Sequence, residues 1–415
     1  MDGVRLLKNL LTRGVDPLRQ FLANPVTLGV AGMPWWAQIS SDGTITTSDD
    51  ERSLGFHVAA EDRWHHGSQE SGVRQTRRDG VPVVETRMRV PNGDIVQTVF
   101  ATAHRGGMVI IDFYNDSPLP VAIGIDRGDV IIESVAAVGS VAGVDLGSEA
   151  VSISLGHHAN TRVALVPFGM SADPSWFDGA PTADSVVAGW KSIVDRAGRM
   201  DLPPGVSGSS VADAIVAARC AWLLGELVDP TDDPVSALLE WDQLCRMGER
   251  AESLVDDVAH AVETVARKKL PGAAMAFDAA ERILRAANES RAAGDVREIS
   301  DRLAEKIAVR SDSLATAVRT FEERLAAPKG STAVILAEGL PADWSLQPIE
   351  VFHLPASATA TVSYAMRWHG LRPAIVWEVE GGVVALRSPE LDPNWESSEA
   401  KGETLLAHTA EAVEA

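Results

Sequence analysis

Residues 233–272 read DPVSALLEWDQLCRMGERAESLVDDVAHAVETVARKKLPG. Asp233 is suited to cap a helix and Pro234 to open it, while Arg267-Lys268-Lys269 complement the helix dipole before Pro271-Gly272 ends the run. Inside it Leu244, Met247, Ala251, Leu254, Val258, Ala261 and Val265 recur in steps of three and four, the spacing of a coiled-coil seam. Gly248 is the weak point, where the helix is expected to split or bend.

Helical spacing extends to both sides. Ser210 with Asp213 resembles a capping box, and Ile215, Val216, Ala218, Cys220, Trp222, Leu223, Leu224 and Leu227 make the run that follows apolar nearly all round, as expected of a central helix. Two more helices are expected over 273–292 and 296–326, the second with Leu303, Ile307, Leu314, Phe321 and Leu325 on one face. Long helices with short Gly/Pro joints pack as an antiparallel bundle.

Beyond these limits the hydrophobic period drops to two. From Trp35 to Phe168 short alternating runs are punctuated by Asp42-Gly43, Asp79-Gly80, Asn92-Gly93, Gly106-Gly107 and Asn115-Asp116, dipeptides that tolerate the positive φ of hairpin turns. The runs include 83–90, 95–103, 108–114, 119–125, 129–135, 151–155 and 162–168, and they predict a β-sandwich. Residues 171–183 read as a linker. After Pro328-Lys329-Gly330, Ala360, Val362, Tyr364, Met366 and Trp368 alternate with Thr359, Thr361, Ser363, Ala365 and Arg367, and turns at His369-Gly370 and Gly381-Gly382 frame a further run over 374–380, so an antiparallel meander of about five strands is expected.

The expected fold class is therefore α+β. The N-terminal segment 1–24 is expected to hold a short amphipathic helix over 2–13, with Val4, Leu7, Leu10 and Leu11 on one side. A β-sandwich covers 25–183, a helical bundle 184–328 and a small antiparallel β domain 329–398, before an acidic tail of marginal order over 399–415.

The chain has 415 residues, more than one core usually organises, and its 45% apolar and 23% charged composition is that of a folded globular protein. A net charge of −21 repels phosphate backbones and anionic lipid, which argues against nucleic-acid and membrane partners. Arg5, Lys8 and Arg13 interrupt the first leucines before a signal-peptide core can form, and no run reaches the ~20 apolar residues of a membrane span, so a cytoplasmic location is expected. Cys220 and Cys245 fall in helical segments without a CxxC or Cys/His companion and read as small buried apolar residues.

The motifs that are missing narrow the chemistry. There is no GxxxxGK[ST] phosphate loop, GxSxG elbow, HExxH pair or Gly-rich dinucleotide turn, and no cofactor is called for. His65-His66 and His157-His158 are adjacent pairs, and neighbours on a strand face opposite ways, so no metal site is assigned to them. The densest candidate patch is Asp62-Arg63-Trp64-His65-His66 with Trp35-Trp36 upstream. Indole faces stack on sugar C–H surfaces while Arg, Asp and His bond hydroxyls, so Trp35, Trp36, Arg63, Trp64 and His65 form a candidate saccharide site; the competing reading has the indoles capping the core and Arg63 paired with an acid. Among helical carboxylates, Glu240 and Asp242 lie ~200° apart around a helix and cannot face one sugar. Glu226 and Glu240 on antiparallel neighbours could, as acid and base of glycoside hydrolysis, against the reading that they are solvated or capping groups.

Trp190, Arg196, Arg199, Leu202-Pro203, Ala218-Arg219 and Leu223-Leu224, in a chain ordered β-sandwich, linker, helices, small β domain, resemble the glycoside hydrolases and phosphorylases that carry an (α/α)6 toroid after a large β-sandwich. The resemblance covers residues 80–230. It implies a truncated relative, because residues 186–328 hold about five helices of ordinary length where a toroid needs twelve. No catalytic residue carries over, since the family's acid and base motifs have no counterpart. The expected function is accordingly that of a carbohydrate-related protein, saccharide-binding or degenerate glycoside-hydrolase-like. The alternative is a non-catalytic assembly protein that binds a partner or self-associates through the seam from Leu244 to Val265.

Overall fold

The computed structural model describes residues 16–22, 25–139, 143–171, 173–205, 208–303 and 313–408. The N-terminal helix expected within 2–13 lies outside them. The chain divides into two compact units, one of residues 23–191 and one of residues 192–415 together with the first 22.

The first unit is the expected sandwich. A four-stranded sheet (Val26–Gly29, Trp36–Ile39, Ile45–Thr47, Asp50–Leu54) and a five-stranded sheet that includes Phe56–Ala59, Trp64–His66, Val121–Ile125 and Val151–Leu155 share one core with a six-stranded sheet centred on Val83–Val90, Gly93–Thr102 and Met108–Asn115. All pairings within these sheets are antiparallel. Alternation explains who faces inward: Ala37, Ile39, Phe56, Val58, Met88, Val99, Ile111, Phe113, Ile123 and Ile153 are all buried in that core. The turn chemistry is as expected at Gly43, Asp79-Gly80, Asn92 and Gly106-Gly107, all at positive φ. The segment read as a linker holds a short 3-10 turn, Pro174–Phe177, capped by Asp173.

The second unit joins helices to sheets. Its helices are α1 (Asp16–Leu22), α2 (Ala183–Val194, which spans the division), α3 (Ser209–Leu223), α4 (Pro234–Met247), α5 (Val255–Lys268), α6 (Ala273–Ala286), α7 (Ser290–Leu303) and α8 (Leu314–Leu325). Asp233 caps α4 by accepting from the Ser236 N–H, with Pro234 in the first turn. Gly248, in the left-handed region, ends α4, so the long helix is split there and its seam is not one continuous coiled coil. Leu244, Met247, Ala251, Val258, Ala261 and Val265 are nevertheless buried within the chain. Helix α3 is capped by Gly208 rather than Ser210, which falls inside the first turn, and it is buried nearly all round as expected. The helix expected over 296–326 corresponds to α7 and α8, with residues 304–312 between them outside the described ones.

The expected meander is found as two sheets. One runs Arg199–Asp201, Ile349–Pro355, Thr361–His369, Arg372–Glu380, Lys401–Leu405 and is antiparallel. The other, Ala326–Lys329, Thr332–Ile335, Ala385–Ser388, Asp392–Ser397, contains one parallel pair between its second and third strands. The segments expected as separate helical and β domains thus belong to one compact unit, whose edge strand precedes most of its helices in sequence. Residues 399–408, the described part of the acidic tail, are held in place, contrary to the expectation of marginal order: Lys401–Leu405 pairs with Arg372–Glu380, the Trp377 indole N–H donates to the Glu399 carbonyl at 3.1 Å, and the indole lies on Gly402. A Cβ there would come within 2.4 Å of the ring, so only glycine fits.

Candidate functional site

The strand Trp36–Ile39 alternates strictly. Ala37 and Ile39 enter the core, which turns Trp36 and Gln38 to the outer face. Register then fixes their neighbours: Gly29 lies opposite Trp36 on one side, and Thr27 and Thr46 flank Gln38, with Ser53 opposite Thr46. Ser48 sits beside Trp36 on the remaining side, its Oγ accepting from the Trp36 N–H at 3.2 Å and its own N–H donating to the Trp36 carbonyl at 2.9 Å. Trp36 is 39% exposed, and Gly29 presents no side chain beside it. The result is a polar sheet face of Thr, Gln and Ser with one exposed indole upon it.

The other four residues of the expected patch are distributed differently. Trp35 turns the opposite way and packs partly buried against the sandwich core. Burial opposes the charge of Asp49, yet hydrogen bonding, which includes the Phe168 N–H donating to Oδ2 at 2.6 Å, holds that carboxyl below its ordinary value. Trp64 lies against Gly124, where a Cβ would meet Leu146 at 2.6 Å and the indole at 3.1 Å. Glycine at 124 therefore lets the ring and Leu146 settle on the outer face of the five-stranded sheet. Arg63 places Nη1 2.6 Å from Glu70 Oε1, and this bond depresses the Glu70 carboxyl. His65 is buried with Nδ1 3.1 Å from the same Glu70 and Nε2 2.9 Å from Asp62. The competing reading, core indole and paired arginine, thus describes Trp35 and Arg63, while Trp36 keeps the character expected of a sugar platform.

The histidine pairs follow strand geometry. His65 points inward, and His66 points outward to meet His57 of the neighbouring strand, Nδ1 to Nδ1 at 2.7 Å. Burial first, and His66 second, push His57 down to about 4. His157 and His158 sit in a turn, bonded to the Ser117 carbonyl and the Tyr114 hydroxyl. Among the described residues no group of three or more His, Cys, Asp or Glu is arranged to hold a metal ion.

The helical carboxylates are structural in their contacts. Glu226 is exposed in the loop after α3. Glu240, 3% exposed, accepts from the Val228 N–H at 3.0 Å and so ties that loop to α4; burial pushes its carboxyl up to about 7. A protonated interior acid of this kind has the pKa of a general acid, but its bonds are made to the fold rather than across an open cleft to Glu226. Asp242 receives both Nε and Nη2 of Arg282 at 2.8 Å, a bidentate pair. Behind it lies a buried network that sequence reading did not anticipate. Glu322 accepts from Arg219 Nη2 at 2.8 Å, Gln243 Nε2 at 2.9 Å, and Arg246 at 2.9 and 3.0 Å. Burial opposes its charge, but Arg246, Arg219 and Arg319 outweigh burial and hold the carboxyl at about 2. Arg219 also donates to the carbonyls of Val194, Ala197 and Gly198, closing the turn that ends α2.

Gln38, Thr27, Thr46, Ser48 and Ser53 were not singled out from sequence. The signal for Gln38 was present in the apolar–polar alternation after Trp36; the others are placed only by pairing register. No helix among the described residues is long and apolar enough to cross a membrane. No protein-family model matches the chain, and no curated protein matches it by sequence.

Proposed function

We propose that this protein binds saccharide without cleaving it, through the outer face of the four-stranded sheet that carries Trp36. The single observation behind this reading is an exposed indole set among Gln38, Thr27, Thr46, Ser48 and Ser53 on one sheet face. An indole supplies an apolar platform for the C–H face of a pyranose, and amide and hydroxyl groups beside it can exchange hydrogen bonds with ring hydroxyls. An exposed sheet face suits a chain of sugars better than a monosaccharide, which needs enclosure to bury enough of its small surface. The non-catalytic half of the proposal is supported by Glu240 and Asp242, whose carboxylates are engaged inside the helical unit.

Calorimetric titration with a panel of soluble glucans and small sugars tests it. The expected result is heat with at least one oligosaccharide that disappears in Trp36→Ala and survives in Trp64→Phe. No heat with any of them removes the proposal.

A second reading, self-association through the helical unit, is favoured by one observation: an apolar groove of about 670 Å³ lined by Val255, Ala259, Val262, Leu284, Val296 and Ile299. Light scattering that shows a monomer across a hundredfold concentration range would remove it.

A further inference from the structure

We infer that His57 and His66 form a binding site for a divalent late transition metal, zinc or copper, on the outer face of the five-stranded sheet. The inference is independent of the saccharide reading, which concerns a different sheet and no histidine.

The site is made by register. His57 and His66 are directly paired across the antiparallel strands Phe56–Ala59 and Trp64–His66, so their Cβ atoms are held at cross-strand spacing and both rings project to the same face. The rings meet edge to face with centroids 4.7 Å apart, and the two Nδ1 atoms converge to 2.7 Å. At that distance one Nδ1–H donates and the other Nδ1 accepts, so the pair holds a single proton between two nitrogens that face each other. A tautomeric shift and a small opening of the pair turn it into a chelate. Moving the donor's proton from Nδ1 to its own Nε2 leaves two neutral imidazoles with both Nδ1 lone pairs free, and no net proton is released. Zinc–nitrogen bonds of ordinary length at tetrahedral angles set the nitrogens about 3.3 Å apart, an opening of roughly 0.6 Å that small χ rotations supply.

One further feature belongs to the site. A carboxylate stands in its surroundings: Asp126 Oδ2 is 2.7 Å, and His57 Nε2 3.6 Å, from the position a Cβ would take on Gly55, and Asp126 Oδ1 accepts from the Gly55 N–H at 2.8 Å. Two protein ligands leave the other positions to water, and no third His, Cys, Asp or Glu is grouped with them among the described residues. Imidazole pairs favour copper and zinc over magnesium or calcium, which prefer oxygen ligands.

The test uses the full chain, stripped with chelator and titrated calorimetrically with zinc chloride. Wild type and His157→Gln should bind alike, while His57→Gln and His66→Gln should each weaken binding more than about tenfold. Equal binding by all four proteins, or none by wild type, overturns the assignment. Should either variant fail to fold, anomalous diffraction from zinc-soaked crystals of the wild-type chain decides. A peak between His57 and His66 upholds the site, and a peak only elsewhere, or no peak, overturns it.

Discussion

The core of the sandwich and the core of the helical unit are built from different materials. The first is a cluster of Val, Ile, Leu, Phe, Met and Ala whose fully buried polar neighbours, Thr86, Gln97 and Asn115, are uncharged, whereas the second encloses the charged Arg219, Arg319, Glu322 and Asp242 together with Gln243. Apolar burial is indifferent to pH, but a buried ion network is satisfied only when every partner is present and charged. The proposed function follows the same division. The carboxylates and guanidiniums of the helical unit are engaged in holding helices together, while the sandwich carries Trp36, Gln38, His57 and His66 on outer sheet faces.

The comparison breaks most visibly at Glu322. Glu322→Ala leaves Arg219, Arg246 and Arg319 without their shared anion and should cost about 3–5 kcal/mol. Denaturant unfolding followed by far-UV circular dichroism should show the helical signal lost early while the β signal persists. The native carboxyl, held at about 2, has a pH signature of its own. Because its folded value lies below the ordinary one, its contribution is present above about pH 4.5 and is lost as the pH falls toward 2.

Glu240 should behave oppositely. Its folded value is raised to about 7, so the folded state retains a proton that the unfolded chain releases, and stability falls as pH rises from about 4.5 through 7. Glu240→Gln keeps an oxygen for the Val228 N–H and removes the charge. It should be about 1–3 kcal/mol more stable than wild type at pH 8 and equal to it at pH 4. Thermal melts at the two pH values read the contrast, and equal shifts at both would argue against a buried ionising acid.

In the sandwich, Ile123→Val removes one methylene from a fully buried site and should cost about 1 kcal/mol, by the same amount at pH 4 and pH 8. A strong pH dependence of that cost would erase the distinction between the two cores. Trp36→Ala, at an exposed position, should change stability by less than about 0.5 kcal/mol. A loss of several kcal/mol would mean that the indole is structural after all.

How much of this was legible depended on the range of the interaction. Hairpins were legible because Asp-Gly and Asn-Gly act locally, and the strands 83–90 and 151–155 fall where alternation put them. The Asp233 cap and the break at Gly248 are likewise properties of a few consecutive residues. The edge strand Arg199–Asp201 was not legible, since its partner Ile349–Pro355 lies beyond the entire helical segment. Neither was the Glu322 network, because a charge on a helix reads as solvated until distant helices supply its partners. The candidate patch shows the same limit. Trp36 was identifiable from composition, but whether its neighbour was Arg63 or Gln38 was decided by sheet pairing.

The claim that an exposed indole on an outer sheet face, rather than any helical carboxylate, serves the ligand is tested most directly by affinity gel electrophoresis in polysaccharide-loaded native gels. Wild type and Glu240→Gln should be retarded equally by the same glucan, and Trp36→Ala should migrate as in an unloaded gel. Retardation that persists in Trp36→Ala and vanishes in Glu240→Gln would contradict the account.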